Sequence, residues 1–331
     1  MMGAAAGGLD APPPDEHLRG APEPARIGDV WIGTASWTER TLLESGAFYP
    51  EAVKTPADRL RYYVRHFPVV EVDATYYALP AERTAAAWAA RTPASFRMGV
   101  KAFAAMTGHP VEPKRLPADL RRALPEAQQT ARRITSNDLP RELRREIWTR
   151  FHTALEPLRA AGKLAYVLVQ LPPWSRPSPA VLRYLESLGE RLPGDVLAVE
   201  FREATWMDAS HRDETLALLC RLGLAYVSVD EPQGTPASVP PVAAATRDDV
   251  AVVRFHGRRR ETWTRPGVGT TERFRHRYTL AELSEWVPRL HALAHATHRV
   301  YALMNNCHRD DAVRGAKDLA TLLAEKTPGS M

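Results

Sequence analysis

Cysteine is almost missing from this chain: 331 residues hold two, Cys220 and Cys307. That excludes a disulfide framework and a cysteine-built zinc cluster. No apolar run reaches the roughly 18–20 residues that a membrane span needs. The N-terminus lacks the basic-then-apolar order of a secretory signal. Lysine is scarce as well, supplying six of the 44 cations, so each lysine carries more information. No G-x-G-x-x-G follows the first apolar run, where Gly33-Thr34-Ala35-Ser36-Trp37 stands instead; this argues against a doubly wound dinucleotide-binding sheet. H-E-x-x-H does not occur, and few histidines lie where a multinuclear zinc site would need them. These absences leave a soluble, cytoplasmic protein with no expected membrane association, and they do not set its oligomeric state. The composition, 44% hydrophobic and 25% charged, is enough for a substantial core.

Residues 1–27 are rich in Ala, Gly and Pro without periodicity, and a disordered leader is expected there. From residue 28 to about 326 the pattern changes. Short runs rich in Val, Leu and Tyr recur at 30–35, 69–73, 97–101, 165–170, 197–200, 225–230, 250–256 and 300–305. Helix-like stretches separate them at 57–66, 81–91, 141–161, 179–191, 212–222, 280–295 and 310–325. Strands alternating with helices imply parallel βαβ units. Eight of them on about 300 residues fit an α/β fold of the (β/α)8 TIM-barrel type, as a single domain.

In such a barrel the strand C-terminal ends form the active face. Those ends carry Trp37, Glu71, Asp73, Lys101, Gln170, Glu200, Arg202, Asp230, Arg254, His256, Asn305 and Asn306. Residues two apart in a strand share a face. Glu71 with Asp73, Glu200 with Arg202, Ser228 with Asp230, and Arg254 with His256 therefore each share one. Apolar residues such as Val199, Phe201, Val227, Val229, Val253 and Phe255 take the other. The polar parity is expected to point into the barrel mouth.

The net charge is +5, which weakly favours anionic partners. An Arg-rich insertion at 111–150 and a basic loop at 258–277 follow the third and seventh of these strands, and both should rise over the same face. A basic rim suits a phosphate or another anion. Arg141, Arg144 and Arg145 could instead be a solvated helix face paired with Glu142 and Glu146. Tyr76, Tyr77, Trp174, Trp206 and Trp263 also follow strand ends, where they could stack on a sugar or base.

The ordered set of Gly33-Thr34-Ala35-Ser36-Trp37, Phe48-Tyr49-Pro50, Val70-Glu71-Val72-Asp73-Ala74-Thr75-Tyr76-Tyr77, Val100-Lys101, Gln170-Leu171-Pro172-Pro173, Val199-Glu200-Phe201-Arg202, Ser228-Val229-Asp230, Arg254-Phe255-His256-Gly257 and Asn305-Asn306 resembles the DUF72 (YecE-like) family. The resemblance spans about residues 30–325 and implies a TIM-type barrel, but no function. Family members more often have Gly at the position of Ala35, Asn and Ser at Asp73 and Ala74, and an aromatic at Met304. His109 lies near the family's usual Thr-His pair.

Three functional readings stay open on the residues alone. In the first, a barrel enzyme acts on a phosphorylated or polyhydroxylated small molecule without a cofactor. Glu71, Glu200 and His256 would serve as general acid/base groups and Lys101 as clamp or nucleophile. Asp230 would position His256 or an arginine. Arg202 and Arg254 would hold the anion; Trp37, Asp73, Tyr77, Gln170, Trp206, Asn305 and Asn306 would complete the binding surface. In the second, acids of the same set hold Mg²⁺ or Mn²⁺ for phosphodiester cleavage of nucleic acid. In the third, the barrel binds an anion or RNA without catalysis.

Overall fold

β-branched and aromatic residues favour pleated, half-buried backbone, and they fill nine strands in the computed structural model, which describes residues 25–325. These are β1 (Arg26–Ile27), β2 (Val30–Thr34), β3 (Val69–Val72), β4 (Arg97–Lys101), β5 (Leu164–Gln170), β6 (Leu197–Glu200), β7 (Ala225–Asp230), β8 (Ala251–Phe255) and β9 (Val300–Met304). Strands β2 to β9 pair in sequence order, all parallel, and β9 closes onto β2 through five registered residues. The result is the expected eight-stranded closed barrel ringed by helices. Closure leaves none of the strands β2 to β9 as a sheet edge.

β1 pairs antiparallel with β2 outside the barrel ladder. The expected leader lies mostly outside the described residues. Its last two positions, Arg26 and Ile27, belong to this strand instead.

Three expected helices are interrupted. The 141–161 stretch becomes Arg141–Ala154 and Glu156–Ala160, and the 280–295 stretch becomes Leu280–Ser284 and Val287–Ala296. Pro157 and Pro288 stand in the first turn of each second piece. A proline there lacks an N–H and collides with the preceding turn, so the helix restarts. The 179–191 stretch breaks at Ser187, whose hydroxyl donates to the Tyr184 carbonyl and competes with the helical ladder. Among the described residues no helix joins β7 to β8: residues 231–250, with Pro232, Pro236, Pro240 and Pro241, run as irregular chain.

Register fixes which side chains point inward, because laterally paired residues lie on the same side of a sheet. Glu71 pairs with Gly99, and Gly99 with Tyr166. Gln170 pairs with Glu200, Val229 with Arg254, and Arg254 with Leu303. The inward row at the upper barrel is therefore mostly polar.

Candidate active site

Arg254, on the inward face of β8, is completely buried, as are Glu71 and Glu200. Its Nη2 donates to Glu71 Oε1 at 2.6 Å and its Nη1 to Glu200 Oε2 at 2.5 Å. Such a pair is too expensive to desolvate unless it is hydrogen-bonded on several sides. The Tyr166 hydroxyl supplies one more bond, donating to Glu71 Oε2 at 2.9 Å. Gly99 makes that possible, since a Cβ there would meet Tyr166 Cζ at 2.4 Å. On the far side Arg202 Nη1 donates to Glu200 Oε1 at 3.3 Å, and His256 Nε2 lies 3.1 Å from the same oxygen. That last approach is too poorly aligned to count as a hydrogen bond. The Asn305 amide nitrogen stands 2.9 Å from His256 Nδ1. As placed, it donates, leaving the ring proton on Nε2 facing Glu200.

Above this floor the site opens. Asp73 and Lys101 keep 26% and 11% of their side-chain surface accessible, with Lys101 Nζ 3.8 Å from Asp73 Oδ1. The same oxygen is 3.7 Å from Arg254 Nη2. Lys101 sits over the Tyr76 ring at 4.8 Å, and Arg202 over the Trp263 ring at 4.5 Å. Trp263 and Phe274, from the 258–277 loop, also flank His256 at 6.0 and 5.7 Å. That loop turns away at Gly257, where φ is +89° and a Cβ would strike His276 at 2.6 Å.

Burial and charge oppose each other at every group. Burial raises the Glu71 carboxyl above its ordinary range, with Arg254 pulling the other way. Burial would raise Glu200 too, but Arg254, His256 and Arg202 outweigh it and hold that carboxyl well below the usual range. Burial drives His256 down to about 4 against the pull of Glu200, so its ring is neutral at pH 7.

Of the expected site residues, the structure brings together Glu71, Asp73, Lys101, Gln170, Glu200, Arg202, Arg254, His256 and Asn305. Asp230 is a correction. Pairing places it beside Phe255, on the outward face, while Val227 and Val229 fill the barrel. There it accepts from Tyr278 Oη at 2.8 Å, Trp286 Nε1 at 2.5 Å and Arg258 Nη2 at 2.7 Å. Polar parity misled in β7 because the outer layer there needs a buried acceptor.

Trp206 is also turned away, stacked on Phe201 at 4.5 Å with its N–H on the Ser175 carbonyl at 2.6 Å. Trp37 packs edge-on against Trp88 of helix Glu82–Ala90. Asn306 donates to the His276 carbonyl and ties down the 258–277 loop. Tyr77 stays at the rim, half exposed beside Tyr76. Burial pushes the Cys307 thiol up, away from nucleophilic chemistry.

Two residues were missed. Tyr166 reads as a core aromatic; the glycine facing it was the available signal. Glu231, next to Asp230, is 2% exposed, accepts from Val239 N at 2.6 Å, and lies 3.6 Å from Arg202 Nε. Burial pushes it up to about 8, with Arg202 opposing.

The expected basic rim is only partly present. Within 258–277, Arg258, Arg259, Arg275 and Arg277 are each paired with carboxylates. Among the described residues, no three His, Cys, Asp or Glu side chains are grouped to hold a metal ion, and no helix is long and apolar enough to cross a membrane.

Comparison with known proteins agrees with this architecture. The family described as "Protein of unknown function DUF72" matches residues 31–330. The UPF0759 protein YunF of Bacillus subtilis (strain 168) is 30% identical over 298 residues, which cover 89% of this chain and 94% of that protein. A DUF72 family protein from Thermotoga maritima MSB8 is 28% identical, with a TM-score of 0.69 over 89% of this chain and 99% of that one. One from Enterococcus faecalis V583 shares the fold at 21% identity, with a TM-score of 0.72 over 91% and 99% of the two chains. A family match over nearly all of the described barrel, joined by a relative 30% identical over most of both chains, makes this chain a member of the DUF72 family.

Proposed function

We propose that the protein is an enzyme acting on an anionic, phosphorylated or polyhydroxylated small molecule at the C-terminal mouth of the barrel. One observation carries the reading. Five buried polar atoms of a single connected network have no hydrogen-bond partner within the protein: Asp73 Oδ1, Arg202 Nε, Glu231 Oε2, Arg254 Nε and His256 Nε2. Buried polar atoms are nearly always satisfied. Here Arg202 Nε and Glu231 Oε2 face each other at 3.6 Å and His256 Nε2 stands 3.1 Å from Glu200 Oε1, so the network is slack. Asp73 Oδ1, between Lys101 and Arg254 beside the opening, supports a polar ligand there.

The roles follow from exposure and pairing. Lys101 and Arg202 reach the opening and hold the anionic group. Asp73 is the carboxylate with both an accessible surface and an unbonded oxygen, and it exchanges the proton with substrate. Glu71, Arg254 and Glu200 form the fixed floor that positions them. His256 is neutral, and its Nδ1 is engaged by Asn305, so it does not carry the proton. Each acid of the set faces a cation at close range, which favours this reading over a metal-dependent phosphodiesterase.

A panel of sugar phosphates and polyols assayed in EDTA tests the proposal, with Asp73→Asn and Lys101→Met as variants. Turnover should fall about 100-fold or more in each, as expected for loss of an acid/base or charge-stabilising group, with little change in melting temperature. Glu200 is a poor choice, because removing it takes one of two directly bonded carboxylates from the buried Arg254 and costs stability, up to about 3–5 kcal/mol. No turnover in the panel, or turnover that requires added Mg²⁺ or Mn²⁺, would overturn the reading.

A further inference from the structure

A second hollow, about 950 Å³, lies outside the barrel mouth between helix Arg141–Ala154 and the helices Pro179–Glu186 and Leu188–Arg191. Loop residues directly after β4 and β5, Thr107, Gly108 and Ser175 among them, form its upper wall. It therefore opens at the same end of the molecule as the site above, while sharing no residue with the Glu71–Arg254–Glu200 network. Trp148, Ile147, Val181 and Leu139 contribute an apolar floor. Around it stand Arg141, Arg144, Arg145, Arg183 and Arg191, against a single acid, Glu190.

These arginines depart from the habit of the surrounding surface. Arg150, on the same helix, holds both Glu146 and Asp119 at 2.6 Å. Arg159 holds Asp195 at 2.8 Å. Glu146 is thereby taken, and the pairing expected for Arg141, Arg144 and Arg145 does not form. Among the described residues, these three and Arg183 make no side-chain ion pair or hydrogen bond. Arg191 is fixed differently: its Nε donates to Ser187 Oγ at 2.9 Å and its guanidinium lies over the Trp148 ring at 5.1 Å.

Unpaired like charges gathered round one hollow repel each other. A ligand with two or more negative charges removes that repulsion and gains fork-type hydrogen bonds. The volume matches sites for nucleotide-sized molecules, and an apolar floor under a ring of guanidinium groups suits a flat organic part carrying phosphates. We infer that this hollow is a second site, for an organic diphosphate or triphosphate of nucleotide size, distinct from the barrel mouth.

Calorimetric titration of the full chain with ADP, pyrophosphate and a single-stranded oligonucleotide tests this. ADP should bind more tightly than pyrophosphate, and more weakly as salt rises. The double variant Arg144→Ala/Arg183→Ala should raise the ADP Kd about tenfold or more, on the scale of two lost charge-assisted contacts, with unchanged melting. Lys101→Met should leave ADP binding intact. ADP that fails to bind at about 1 mM, or whose binding is indifferent to the double variant, would overturn the inference. So would ADP binding lost in Lys101→Met, which moves the anion to the barrel mouth. An oligonucleotide that outcompetes ADP through the same arginines would overturn it too, in favour of a macromolecular partner.

Discussion

A single carboxyl, Glu231, reports on how the candidate site trades burial against charge. Burial holds its folded pKa up to about 8, while an ordinary glutamate titrates near 4.5. Between those values the folded chain keeps a proton that the unfolded chain has lost. The associated stability is complete below about pH 4.5 and is lost as pH rises through 8. Thermal unfolding at pH 7, 8 and 9, above the range where the depressed His256 and His109 rings add stability as pH rises, should therefore show a falling melting temperature, worth roughly 1–2 kcal/mol. Glu231→Gln should flatten that slope, since the amide keeps an oxygen for the Val239 N–H. Glu71 is raised by burial in the same sense and should retain a residual slope in the variant. Equal slopes in both proteins would assign the titration to another group. The sequence did not expose Glu231, because parity in β7 selected Asp230 and assigned the face of Val227 and Val229, which Glu231 continues, to the apolar side. Lys101, Glu71, Glu200 and Arg254 were legible for the opposite reason: each sits inside a strand whose neighbours are apolar.

Strand pairing explains both the successes and the one clear failure of that reasoning. In β3, β6 and β8 the polar residues of one parity do face the mouth. In β7 the same rule selects Asp230, yet its lateral neighbour is Phe255, and the side chain serves Trp286 and Tyr278 in the outer layer. Polarity alone cannot tell an inward acid from an outward one that anchors a loop; the register can. Helix interruptions followed from Pro157 and Pro288, both visible in the sequence but outweighed there by apolar periodicity. The β4–β5 pair gives a sharper test. A methyl on Gly99 would lie 2.4 Å from Tyr166 Cζ and 2.6 Å from its hydroxyl. The ring cannot retreat easily, being bonded to Glu71 and lodged against Tyr301 at 5.6 Å. Gly99→Ala should cost about 1–3 kcal/mol in denaturant unfolding, the usual scale of overpacking. Tyr166→Leu should recover part of that loss in the double variant. Strictly additive losses would mean that the two positions do not share the space.

For the molecule as a whole, function at one end of the barrel requires closure at the other. The bottom is sealed by Trp31, 4% exposed on β2. Three guanidinium groups surround its ring: Arg26 at 5.0 Å, Arg97 at 5.7 Å and Arg299 at 4.8 Å. Arg97 lies in β4 and Arg299 directly precedes β9, whereas Arg26 is not part of the eight-stranded segment of chain. It is delivered by β1, which pairs Arg26 with Trp31 and Ile27 with Val30, while the Ala25 carbonyl accepts from Ile32 N at 3.2 Å. Residues 25–28 thus contribute backbone pairing, one cation–π contact and cover for an indole that would otherwise meet water. Each of these terms is about 0.5–1 kcal/mol, and together they should exceed the noise of a melting experiment. A chain beginning at Asp29 should melt about 3–6 °C below one beginning at Ala25, on the scale expected for a protein of this size. The mouth lies at the opposite end of the strands, so affinity for a sugar phosphate should be unchanged between the two. Equal melting temperatures would show that β1 only decorates the barrel. A loss of binding with little loss of stability would show that the bottom and the mouth are coupled through the Tyr166–Tyr301 contact inside the barrel.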